Sequence, residues 1–112
     1  SVRFMASEIV REKLFLALGE ELPYFTAVTV EDWDEDSQPG LTRIRASILV
    51  ARESHKPMVI GKGGERIKDV GQKARADIEE MLGGQVFLEL WVRVSQDWTD
   101  DRAFLRDLGL GQ

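Results

Sequence analysis

The chain has 112 residues, 43% of them hydrophobic and 31% charged, with ten glycines and no cysteine. That length suits one domain able to bury its own core, and the composition excludes a disordered chain, a disulfide scaffold and a thiolate metal site. The net charge of −5, taken over the whole chain, argues against a nucleic-acid partner. No apolar run reaches membrane-spanning length, and no signal peptide is visible.

Residues 4–18 read as a helix, because Ala6, Ile9, Val10, Leu14, Ala17 and Leu18 fall on one face at helical spacing. Gly19 ends it and Pro23 marks the break. The chain opens without Met and enters this helix almost at once, which is read as a fragment of a longer protein. Residues 25–33 form a strand with Val28 and Val30 alternating against Thr29 and Glu31. A polar loop with Pro39-Gly40 leads to a strand over 41–51, where Thr42, Ile44, Ala46, Ile48 and Val50 take one face and Arg43, Arg45 and Ser47 the other. Pro57 opens a short helix that stops at about Ile60. A longer helix over 65–82 carries Ile67, Val70, Ala74, Ile78, Met81 and Leu82 as its core stripe, and Gly83-Gly84 stops it. Residues 85–94 alternate strictly, with Val86, Leu88, Leu90, Val92 and Val94 inward and Phe87, Glu89, Trp91 and Arg93 outward. A last short helix is expected over 99–108.

The fold class is therefore α+β, in the order α-β-β-α-α-β with a C-terminal tail. The hairpin makes the first two strands antiparallel, and the helical crossover makes the second and third parallel. The expectation is one domain over 1–112, with a core of about 1–95 and a tail of 96–112. Its three-stranded mixed sheet carries helices on one face.

The charge is unevenly spread. Residues 43–75 hold nine basic side chains against three acidic, net +6, while the remainder nets −11. Inside this basic middle lies VIGKGGERIK, residues 59–68. With ten glycines, about one Gly-x-x-Gly match is expected by chance, so the bare pattern means little. Its context carries the information. Gly61, Gly63 and Gly64 separate a helix that ends from one that starts, and a helix start offers free N–H groups and a positive dipole end. Lys62 projects from the tip, and Arg66 and Lys68 follow in the first turn, where basic side chains oppose the helix dipole. An anion supplied by a partner would account for them. A Walker A loop fails because Gly63 follows Lys62, and a dinucleotide fingerprint fails because Arg66 stands where a third glycine is needed. The reading that remains is a helix–GxxG–helix clamp on a single-stranded backbone, the KH mode. Val59, Ile60 and Ile67 are candidates for the floor of an adjacent base groove, and Arg52 and Lys56 for its flank.

Other features are read conservatively. Arg43 and Arg45 suit a solvated strand face better than an RNA contact. Lys73 and Arg75 can pair with Asp77 and Glu79 along their helix. Asp32, Asp34 and Asp36 fit the first half of a calcium loop, but Ser37 and Arg43 stand where it needs Gly and Glu. His55 reads as an exposed loop residue with no triad partners, and Asp100-Asp101 and Glu79-Glu80 diverge on helices. Phe87 and Trp91 face away from the helices, and packing under the tail or against another domain is expected for them.

The stretch ILVARESHKPMVIGKGGERIKDVGQKARADIEEMLGGQVFLELWVRVSQDWTDDRAFLRDLGL resembles the C-terminal RNA-binding domain of the bacterial Era GTPases, and FMASEIVREKLFLALGEELPY resembles that domain's first helix. EIVREKLF, VFLELWVRV and DWTDDRAFLRDLGL make the resemblance specific, and it covers essentially the whole chain. It implies a type II KH domain. It further implies that Gly61, Lys62, Gly63 and Gly64 clamp single-stranded RNA, with Ile60, Arg66 and Lys68 beside the strand. The implied partner is small-subunit ribosomal RNA near its 3′ end, and the implied role is assembly of the 30S subunit. GTP and Mg would belong to an N-terminal GTPase domain that this sequence does not contain, so no cofactor and no catalysis are expected of this chain. The resemblance also implies a monomer in the cytoplasm, with the inner-membrane periphery as a further location of the full-length family member. The rival expectations are a protein-interaction module, in which the GxxG loop is only a turn, and a small enzyme, which no constellation supports.

Overall fold

A computed structural model describes residues 1–95. The helix expected over 99–108 and the rest of the tail lie outside the described residues.

Helix α1 (Val2–Leu18) starts two residues before the expected position 4. The side chain of Ser1 caps it by accepting the Phe4 N–H at 3.2 Å. Ala6, Ser7, Val10, Leu14 and Leu18 are its buried residues. Ser7 tolerates burial because its hydroxyl donates to the Phe4 carbonyl at 2.6 Å. Ala17, expected on this stripe, is exposed.

Strand β1 (Thr26–Asp34) pairs antiparallel with β2 (Leu41–Val50), which pairs parallel with β3 (Gln85–Val94), so β2 is central. The register places Val28 opposite Ile48 and Val30 opposite Ala46, then slips at a bulge before Asp32. The bulge was not legible as such, and it decides which side chains enter the core. Simple alternation would turn Asp32 and Asp34 inward after Val30. The inserted residue reverses the phase, so Trp33 lies opposite Ile44 and packs on the core instead.

Helices α2 (Lys56–Ile60) and α3 (Glu65–Leu82) complete the order α-β-β-α-α-β. Gly83 ends α3 in the left-handed conformation at φ 75°, its N–H donating to the Glu79 carbonyl at 2.8 Å. The core joins Val10 and Leu14 of α1, Val70, Ala74 and Ile78 of α3, and Ile44, Ala46, Ile48 and Val50 of β2. All three helices thus lie on one face of the sheet.

The opposite face of the sheet, which carries none of the described helices, is braced by charge. Glu31 accepts from the Ser47 hydroxyl at 2.5 Å and pairs with Arg93 at 2.8 Å, linking all three strands. Ser47 is fully buried there. Arg45 lies in register with Asp32 on one side and Glu89 on the other. The Arg43 guanidinium sits 5.3 Å from the centre of the Phe87 ring. Phe87 and Trp91 are half exposed among the described residues.

Between helices, Lys13 of α1 reaches Asp77 of α3 at 2.6 Å. Asp77, with Glu12, raises the Lys13 pKa above its ordinary value by bonding to the charged ammonium. This corrects one expected pair: Lys73 bonds Asp69 at 3.1 Å rather than Asp77, because α1 brings Lys13 to that carboxylate. Arg75 meets Glu79 at 3.0 Å as expected.

Candidate nucleic-acid interface

The turn at 61–64 is held by glycine conformation. Gly61, Gly63 and Gly64 have φ of 78°, 61° and 77°, values that residues with a Cβ rarely adopt. Gly61 ends α2, its N–H donating to the Pro57 carbonyl at 2.9 Å, and Gly64 donates to the Gly61 carbonyl at 3.1 Å. Gly61 has a second reason to be glycine: a Cβ there would lie 2.6 Å from the Arg66 Cβ and 2.9 Å from the Arg66 backbone N. At Gly63 and Gly64 a Cβ would meet nothing within 4 Å, so the outer side of the turn is open to a ligand. Gly64 supplies no side-chain cap to α3, which leaves the first N–H groups of that helix without a side-chain acceptor.

The basic side chains around the turn differ in what they already hold. Lys62 and Lys68 are exposed and have no acidic partner among the described residues. Arg52, before the short helical turn Glu53–His55, is likewise exposed and unpaired among them. Lys56 is drawn to Glu53 at 3.4 Å. Arg66 is turned back, its guanidinium donating to the Met58 carbonyl at 2.6 Å.

The apolar candidates separate too. Ile60 and Ile67 are half-buried on either side of the turn. Val59 is corrected: it is fully buried in the core and cannot form a groove floor, because α2 turns that side chain toward the sheet. It supports the floor from beneath. Helix α2 lies against both α3 and β3, and β3 is an edge strand. A strand edge carries unpaired main-chain donors and acceptors.

His55 is also corrected. It is half-buried rather than exposed, its ring edge-on to Tyr24 at 6.2 Å, with Nδ1 enclosed and without a hydrogen-bond partner among the described residues. Asp34, one of the three acids that suggested a calcium loop, is committed to the β1–β2 turn. Its Oδ1 accepts the N–H groups of Asp36 and Ser37 at 3.0 Å each. The Ser37 hydroxyl and these backbone donors hold the Asp34 carboxyl below its ordinary pKa.

A two-helix unit joined by a GxxG turn, set on a three-stranded sheet with a parallel edge strand, defines a class of nucleic-acid-binding module. The chain belongs to the KH domain family, whose model matches residues 21–99. Its curated relatives are narrower in kind. GTPase Era of Desulfovibrio desulfuricans is 60% identical over 109 residues, and that of Nitratidesulfovibrio vulgaris strain Miyazaki F is 62% identical over 109. GTPase Era of Neisseria meningitidis is 54% identical over 110 residues. Each match takes in 97% or 98% of this chain, but the chain spans only 35–36% of those relatives' length, in their C-terminal region. Two solved structures superpose with a TM-score of 0.84 at 40% identity over the whole chain. One is an Aquifex aeolicus Era variant bound to GDP and AlF4−, of which the chain covers 38%. The other is Era in complex with MgGDPNP and nucleotides 1506–1542 of 16S ribosomal RNA, of which it covers 37%.

Proposed function

We propose that this chain clamps single-stranded RNA at the turn Gly61–Gly64, and that its RNA is small-subunit ribosomal RNA near the 3′ end. The observation that carries the reading is the pair of exposed cations, Lys62 and Lys68, with no acidic partner among the described residues, beside a glycine turn in a chain whose net charge is −5. The solved relative holding nucleotides 1506–1542 of 16S ribosomal RNA supports this choice of partner. In this reading the N–H groups of the turn and of the first turn of α3 face the phosphates, and Lys62 and Lys68 neutralise them. Ile60 and Ile67 contact bases, and the edge of β3, unpaired among the described strands, offers main-chain groups to their edges. The role is in assembly of the 30S subunit, in the cytoplasm. Any GTP hydrolysis belongs to an N-terminal domain, where GTP and Mg would be held, and this chain is no enzyme by itself.

The test is a fluorescence titration of the folded chain with a short RNA matching the 3′ end of small-subunit ribosomal RNA, at two salt concentrations. The double variant Lys62→Asp/Gly63→Asp should lose about a hundredfold or more in affinity, because it reverses charge at the clamp. The wild type should weaken steeply with salt. If the folded variant binds as well as the wild type, the clamp is not at this turn. If the wild type shows no salt-sensitive binding, the chain is a protein-docking module.

A further inference from the structure

Three of the four residues at 61–64 are glycines with positive φ, so their own conformational preferences hold the turn only weakly. Two backbone bonds, from the Gly61 N–H to the Pro57 carbonyl and from the Gly64 N–H to the Gly61 carbonyl, define its path. The third constraint comes from Arg66. Its side chain reaches back from the first turn of α3, and Nη1 donates to the Met58 carbonyl at 2.6 Å. Met58 lies in the last turn of the five-residue α2, where carbonyls lack helical partners. A charge-assisted bond to such a carbonyl ties the two helices together across the turn. Arg66 also does the complementary job, since its Cβ and backbone N fill the space where Gly61 would carry a Cβ. One residue thus seals the inner side of the turn with its Cβ and backbone N and bridges it with its guanidinium.

We propose that Arg66 is a positioning residue, a clasp that fixes the Gly61–Gly64 turn for phosphate, and that Lys62 and Lys68 rather than Arg66 are its phosphate ligands. This rests on the RNA-clamp reading for its consequence, but the clasp exists in the free chain. Fixing the turn in advance lowers the ordering cost that RNA would otherwise meet on binding.

Two measurements separate the clasp from a direct phosphate contact and from a merely structural role. The first needs no RNA: hydrogen exchange of the free 112-residue chain. Arg66→Ala should speed exchange at the Gly61 and Gly64 amides by roughly tenfold while the β2 amides and the melting temperature stay unchanged. Unchanged exchange at both glycines overturns the clasp, whether or not the chain binds RNA. The second is the salt dependence of RNA binding. Arg66→Ala should weaken binding about tenfold with the log–log salt slope of the wild type, whereas Lys62→Ala should flatten that slope by about 0.7, the value for one phosphate on a single strand. Arg66→Lys keeps the charge but not the reach or the planar fork, so it should not restore affinity. A slope flattened by about 0.7 in Arg66→Ala, or full recovery in Arg66→Lys, would make Arg66 a phosphate ligand and sink the proposal.

Discussion

The two ends of the basic segment around α3 look alike in sequence and differ in space. At its start, Lys62 and Lys68 stand exposed with no acidic partner among the described residues. One to two turns further on, Lys73 is held by Asp69 at 3.1 Å and Arg75 by Glu79 at 3.0 Å. A count of charges gives both ends the same weight. Geometry does not, because a cation already beside a carboxylate has little field left for a phosphate, and exchanging the partner gains little. The useful charge of this chain is therefore a small part of the +6 carried by residues 43–75. The same holds on the opposite face of the sheet, where Arg93 is spent on Glu31 at 2.8 Å.

The comparison can be broken most severely at the turn itself. Gly61→Ala forces a Cβ to within 2.6 Å of the Arg66 Cβ at φ 78°. It should cost about 2 kcal/mol or more of stability, read by denaturant unfolding, and weaken RNA binding besides. A neutral Gly61→Ala would mean that the turn is not held as described. Gly64→Ala shares the φ strain but meets no atom within 4 Å, so its cost should be the smaller of the two.

A direct contrast comes next. Lys62→Ala should lower RNA affinity about fivefold, and Lys73→Ala less than twofold, in the same titration. Equal losses would erase the distinction between the two ends. It can also be sharpened in reverse: Asp69→Asn releases Lys73 and should raise binding to an unrelated single strand by about twofold.

The smallest effect lies far from the interface and is set by pH. Asp34 has its folded pKa lowered below the ordinary 3.8, first by the Ser37 hydroxyl and then by the backbone N–H groups of Ser37 and Asp36. Its contribution is present above 3.8 and is lost as the pH falls through the lower, folded value. The Asp36 and Ser37 amide resonances should shift in that acidic window, and Asp34→Asn should remove the shift. The resonances of Gly61–Gly64 should not follow it.

Much of the fold was legible because its information is local. Period-two alternation marked β2 and β3, period 3.6 marked α3, and glycine pairs marked where helices stop. The crossover rule then gave the mixed sheet without any knowledge of contacts. The turn proposed as the clamp could be located for the same reason: Gly61–Gly64, Lys62 and Lys68 are neighbours in the chain. The bulge of β1 left one trace, the three-residue step from Val30 to Trp33 that breaks the alternation.

Sequence alone settled the order of elements, the inward stripe of β2 and the place of the turn, since each follows from the conformational preferences of adjacent residues. The tertiary structure decided the rest. It buried Val59, enclosed His55 against Tyr24, gave Asp77 to Lys13 instead of Lys73, and folded Arg66 back onto Met58. Each of these depends on which side chains the packed elements bring together. That depends on how helices and strands pack against one another, and no local pattern in a single chain encodes it.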